Sequence, residues 1–154
     1  MSEQAIDTIR QILASILNQM EVEASIEVED NEVSGLVFNV QSPETQSLIG
    51  RQGSHLHALQ VLVQQMAVKK LGYGLVPRFT IDVDDYRRKR EWFLKETARL
   101  AIEKAKREGM SVTLEPMPNY ERRLIHSYIQ EHFTGVSTAS TGEGSSRRVI
   151  ISTI

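Results

Sequence analysis

A chain of 154 residues with 40% hydrophobic and 25% charged residues has the composition of a soluble globular protein, which argues against general disorder and fibrous folds. It is long enough to fill two small domains but leaves no room for a third. The formal net charge is -2, and the absence of cysteine excludes disulfides, thiolate chemistry and cysteine-ligated zinc. No apolar run is long enough to insert in a bilayer and no signal-peptide layout opens the chain, so a cytoplasmic location is expected.

Ile6, Ile9, Leu13, Ile16, Leu17 and Met20 recur at spacings of three and four and predict a first helix. Val22, Ala24, Ile26 and Val28 alternate with polar residues, as do Leu36, Phe38 and Val40 after a turn at Asp30-Asn31, which predicts a strand hairpin. Pro43 suits the first turn of a short helix. The Gly50-Arg51-Gln52-Gly53 break then leads to a longer helix from Ser54 to Leu71, and Phe79, Ile81 and Val83 supply a third strand. A boundary at Asp84 or Asp85 would divide the chain into residues 1-84 and 85-154. The second part opens with a helix to Glu108, carrying Leu94, Ala98, Ala101 and Ala105 on one face and Gly109 as its stop. A short strand at Val112 to Leu114, a helix from Pro118 to about Phe133, and strands at Val136 to Ser140 and Arg147 to Ser152 complete it. The closing pair is joined by the Gly142-Glu143-Gly144 turn. The expected class is α+β in two small domains, the second being two helices on a three-stranded sheet.

Charge is distributed unevenly. Residues 1-84 hold 5 Lys and Arg against 11 Asp and Glu, while residues 85-154 hold 13 against 9. The second part is therefore the basic one, as a nucleic-acid-binding unit would be, although a solvated helix face gives the same count.

Gly50 and Gly53 allow positive φ and bring bare backbone close to a ligand, and the following helix aims its N-terminal N–H groups at the same place. The pair alone is as consistent with a simple helix-to-helix turn. With Leu48-Ile49 before the loop, Leu56 and Leu59 after it, and the order helix, strand, strand, helix, loop, helix, strand, the first part resembles a KH domain whose extra helix and strand lie at its N-terminus. That resemblance implies phosphate contacts from Gly50, Arg51, Gln52 and Gly53 on single-stranded nucleic acid, with Ile49, Leu56 and Leu59 building the apolar groove or the core beneath it. Nucleotide-binding glycine motifs are missing.

In the second part Arg122 and His126 stand four apart on one helix face, where two hydrogen-bond donors can grip adjacent phosphates. A packed histidine beside a paired arginine fits the spacing too. The Arg-x-x-x-His spacing, the basic lead helix and the closing strands resemble the R-3-H domain, a single-stranded nucleic-acid-binding fold. Arg87 and Arg90 share a side of the lead helix and are read as phosphate contacts. Arg147 and Arg148 alternate on the last strand, so one of them, taken as Arg148, joins that surface.

Taken together, Leu48-Ile49-Gly50, Ala58-Leu59-Gln60, Tyr86-Arg87-Arg88-Lys89-Arg90, Leu114-Glu115-Pro116-Met117, Glu121-Arg122-Arg123 and Arg147-Arg148-Val149-Ile150 are similar to the Jag family of bacterial KH plus R-3-H proteins, over nearly the whole chain. Many members carry a further domain before the KH unit, and this sequence begins close to the KH helix. The resemblance implies a non-enzymatic binder of single-stranded RNA in post-transcriptional control. It also implies pairing through the KH unit with a second, smaller KH protein or with another copy. The alternative class is a protein-interaction adaptor contacting ribosome or membrane insertase machinery.

No catalytic set, cofactor or metal site is expected. His55 and His57 diverge by about 200° on a helix and read as surface residues, and Asp82, Asp84 and Asp85 lack a second acidic cluster. Trp92 and Phe93 could stack bases, but their ordinary use is between helix and sheet.

Overall fold

The computed structural model describes residues 3-31 and 35-154. It divides into two compact units, Met1–Arg87 and Arg88–Ile154. The first contains helix α1 (Glu3–Gln19), strands β1 (Ser25–Asn31) and β2 (Gly35–Gln41), helices α2 (Thr45–Ile49) and α3 (Ser54–Leu71), and strand β3 (Phe79–Val83). Tyr86 and Arg87 belong to this unit because Tyr86 packs on its core and the Arg87 side chain bonds back to the Ile81 carbonyl at 3.0 Å. The order is the expected αββααβ, in an α+β architecture.

β2 is central, antiparallel to β1 and parallel to β3. One face of this sheet, carrying Leu36, Phe38, Val40, Phe79, Ile81 and Val83, is buried against Ile9, Leu13 and Leu17 of α1 and Leu56, Leu59 and Val63 of α3. That face follows from the period-two alternation and the helix faces from spacings of three and four. The outer edge of β3 is capped by side chains. Gln60 donates to the Phe79 carbonyl and accepts from the Ile81 N–H at 2.6 Å, while Arg87 Nε takes the Ile81 carbonyl, so groups that would invite a further strand are bonded.

Two local expectations change. Asp30 and Asn31, read as a turn, continue β1, paired with Leu36 and Gly35; the link to β2 lies outside the described residues. Pro43 precedes α2 by two residues instead of opening it.

The second unit contains α4 (Tyr86–Glu108), which begins in the first, then β4 (Val112–Thr113), α5 (Asn119–His132), β5 (Val136–Thr141) and β6 (Arg148–Thr153). β6 lies between β4 and β5, antiparallel to both. Leu94, Ala98, Ala101 and Ile102 of α4, Ile125 and Ile129 of α5, and Val149 and Ile151 of β6 form the core, closed at one side by Leu114 and Met117. Alanines at three inward positions of α4 leave room for a close approach to its neighbours, and Gly109 ends the helix in the left-handed conformation. Among the described residues no helix is long and apolar enough to cross a membrane.

Candidate nucleic-acid interface

The glycine loop joins α2 to α3 through a single 3-10 turn, Arg51–Gly53. Gly50 has φ 69° and ψ -176°, a region open in practice only to glycine, and Gly53 has φ 79°. Gln52 is also left-handed at φ 54°. Both glycines are needed for space as well. A Cβ on Gly50 would fall 2.4 Å from the His55 ring, and one on Gly53 would fall 2.9 Å from the Tyr86 ring. His55, read as a plain surface histidine, is solvent-exposed but anchored, with Nδ1 2.7 Å from the Ser47 carbonyl oxygen. The loop therefore presents an exposed Arg51 beside half-buried Gly50 and Gln52, with Gly53 buried, and is braced by a ring on each side.

Ile49 and Leu56 are 8% and 1% exposed and lie in the core. Of the two places left open for them, groove or core beneath it, both residues occupy the core, on helix faces turned to the sheet. The apolar hollow beside the loop, about 250 Å³, is lined instead by Ile16 and Met20 of α1, Leu48 of α2, and His55, Leu59 and Leu62 of α3.

In the second unit, His126 directs Nδ1 at the Thr138 hydroxyl (2.6 Å) and Nε2 at the Ser140 hydroxyl (3.0 Å). Thr138 and Ser140 share the inward face of β5, opposite Ile151 and Val149. Burial lowers the pKa of His126 below its usual value, and the nearby Arg122 charge lowers it further. Both ring nitrogens are engaged by β5 hydroxyls, which is the packed arrangement that the spacing also allowed. Arg122 donates from Nη1 to the Met117 carbonyl (2.7 Å) and from Nη2 to Asn119 Oδ1 (3.3 Å), so it also fastens the turn that starts α5.

The other arginines sort differently from their sequence reading. Arg87 is spent on the Ile81 carbonyl. Arg90 donates from Nε and Nη2 to the two oxygens of Glu121, at 2.8 and 2.9 Å, and Glu121 is wholly buried. Arg87 and Arg90 do share a side of α4, but it is the side engaged with the protein, whereas Arg88 and Lys89 are exposed. Arg148 pairs with Thr141 on the sheet face opposite the one carrying Thr138 and Ser140, which separates it from the Arg122 and His126 pair. Arg147 is nearer by connectivity: its carbonyl accepts from the Met117 N–H at 3.2 Å, and the Met117 carbonyl accepts from Arg122.

Asp82 is buried, accepting from the Val83 and Arg87 N–H groups, and its pKa is raised by burial against those bonds. Asp84 does not share a strand face with it. It follows β3 at φ 48°, and its carboxylate accepts from the Thr45 hydroxyl at the start of α2. Among the described residues no three His, Asp or Glu side chains gather as a metal-binding group. Glu121, Gln60 and Tyr86 stand in the motifs that carry the resemblance but had no role assigned from the sequence; their partners, up to 33 residues away, reveal it.

Comparison with known families matches residues 6-73 to the KhpA/KhpB KH domain and residues 93-153 to the R-3-H domain. A protein of Clostridium symbiosum called RNA-binding protein KhpB is 36% identical over 147 residues, covering 95% of this chain and 65% of the relative. Proteins of the same name from Bacillus subtilis and Streptococcus pneumoniae are 32% and 30% identical, over 75% and 98% of this chain and 55% and 45% of their own lengths. The chain thus spans between 45 and 65% of the relatives it matches. With both domain families found in the order of the two folded units, and these relatives aligned across both, the chain belongs to the KhpB family, also called Jag.

Proposed function

We propose that this protein binds single-stranded RNA without enzymatic action, as a cytoplasmic post-transcriptional regulator, with no cofactor or metal. The observation that carries the reading is the Gly50 to Gly53 loop: two glycines at positive φ between two helices, with an exposed arginine between them. An exposed arginine at the N-terminus of a long helix favours a phosphate, and the hollow beside it is apolar enough for a base. The KH function is assigned to the unit Met1–Arg87 and the R-3-H function to the unit Arg88–Ile154. In the latter, Arg122 contacts phosphate while His126 fixes the helix against β5. Arg87 and Arg90 act as positioning residues, and Arg147 is a better phosphate contact than Arg148. The relatives' printed name supports RNA as the ligand.

The test replaces Arg51 and Gln52 together by Asp. Asp tolerates the left-handed backbone at position 52, so the fold survives while two negative charges face the phosphates. Affinity for a labelled single-stranded RNA should fall at least tenfold by fluorescence anisotropy; unchanged affinity would remove the loop from the interface.

A second reading is favoured by Val61, Leu62 and Met66, which form an exposed apolar stripe on α3 at 45, 49 and 40% exposure. It is a pairing surface for a second, smaller KH protein or another copy, and would suit an adaptor contacting ribosome or membrane insertase machinery. Pull-down after RNase treatment separates the classes, because an adaptor keeps its partners.

A further inference from the structure

Trp92 and Phe93 do not fill the space between helix and sheet. The inward residues of α4 are Leu94, Ala98, Ala101, Ile102 and Ala105. Trp92 stands two positions before Leu94, about 200° around the helix, and so turns outward. It is 68% exposed and Phe93 is 52% exposed. A large aromatic left in water is an informative departure from ordinary burial. Its neighbours are cationic. Arg88 precedes Trp92 by four residues, Lys89 precedes Trp92 by three and Phe93 by four, and these four side chains line one open cleft.

The cleft is also braced from behind. The guanidinium of Arg90 lies 5.4 Å from the centre of the Phe93 ring and is itself fixed by both oxygens of buried Glu121. Phe93 is thereby held from one side, and the indole beside it stands on a helix instead of a loop. An aromatic surface with two cations within one turn matches a single-stranded nucleic acid: an unpaired base lies on the ring and its phosphates meet the cations. Residues 88-154 carry 12 Lys and Arg against 8 Asp and Glu, so the unit's charge favours that ligand over a basic or apolar protein segment.

We propose that Trp92, supported by Phe93, is a stacking platform for one unpaired base, with Arg88 and Lys89 taking adjacent phosphates. The proposal rests on the RNA-binding reading and adds a base contact that neither the glycine loop nor the Arg122 helix supplies.

Trp92 is the chain's single tryptophan, so its emission reports this site alone. The full chain is titrated with labelled oligoadenosine, following label anisotropy and tryptophan emission together. Quenching should run in step with binding. Trp92→Ala should weaken binding roughly 5- to 100-fold without changing the salt dependence, and Trp92→Phe should keep most of the affinity. Circular dichroism checks that each variant is folded. Full binding by anisotropy with unchanged emission overturns the platform and leaves RNA binding standing, even if Trp92→Ala weakens binding through its structure. Absence of any anisotropy rise, with oligoadenosine or with mixed-sequence RNA, overturns the RNA-binding reading and the platform with it.

Discussion

Partial burial, and after it the charge of Arg122, hold the pKa of His126 below its usual value. In the unfolded chain the ring titrates near 6.5. Between that value and the lower folded one, the unfolded state holds more protons, so folding stability decreases as the pH falls. The contribution is full above about pH 6.5 and is lost as the pH drops through the depressed folded value. Urea unfolding of the parent and of His126→Asn at pH 8, 6.5 and 5 should show a steeper acid loss in the parent; equal losses would mean the ring is not held neutral. The sequence shows that Arg122 and His126 share a helix face. It does not show that β5 offers two hydroxyls there, since Thr138 and Ser140 reach His126 only through the β5 register with β6.

Helices α4 and α5 are tied by one bidentate ion pair as well as by apolar packing. Glu121 has no exposure to water, so removing Arg90 leaves a carboxylate buried without its main counter-charge. Arg90→Ala should destabilise this unit by about 3 kcal/mol, read as a lowered urea midpoint with unchanged slope. Glu121→Gln keeps an acceptor for Arg90 and should cost less; an effect of Arg90→Ala below 1 kcal/mol would class the pair with exposed ones such as Lys95 with Glu91. Elements of this kind were largely legible beforehand. The glycine break and the apolar-rich stretch after it set α3, and alternation set β3, at their observed limits, Ser54–Leu71 and Phe79–Val83. Which side of α4 faces the protein was less so. The spacing of Arg87 and Arg90 says that they point together, while the inward direction depends on Glu121 and Ile81, contacts that no local pattern encodes. The groove stayed open for a related reason: Ile49 and Leu56 are apolar in sequence whether they line a hollow or fill the core.

Over the whole molecule, charge and apolar core are both partitioned. The two cores share no residue, and the acidic part carries the glycine loop while the basic part carries Arg88, Lys89 and Arg122. Long-range attraction of a polyanion therefore falls to residues 85-154, and close positioning to the loop. Deleting residues 88-154 should cost most of the RNA affinity and flatten its dependence on salt, provided circular dichroism shows that the remaining part folds. In the full chain, Arg122→Ala should reduce the slope of log affinity against log salt by about one contact, roughly 0.7 for a single strand. An unaltered slope would leave Arg122 as the fastener of Met117 and Asn119 alone.

The rings over Gly50 and Gly53 also give the loop a magnetic signature. In a glycine the second α-proton points where a Cβ would stand, and at both positions that direction runs into an aromatic ring, His55 at one and Tyr86 at the other. The paired α-protons of each glycine should therefore resonate far apart, displaced by ring currents. A strand settling on the loop would shift those lines at each end separately, recording which glycine it reaches.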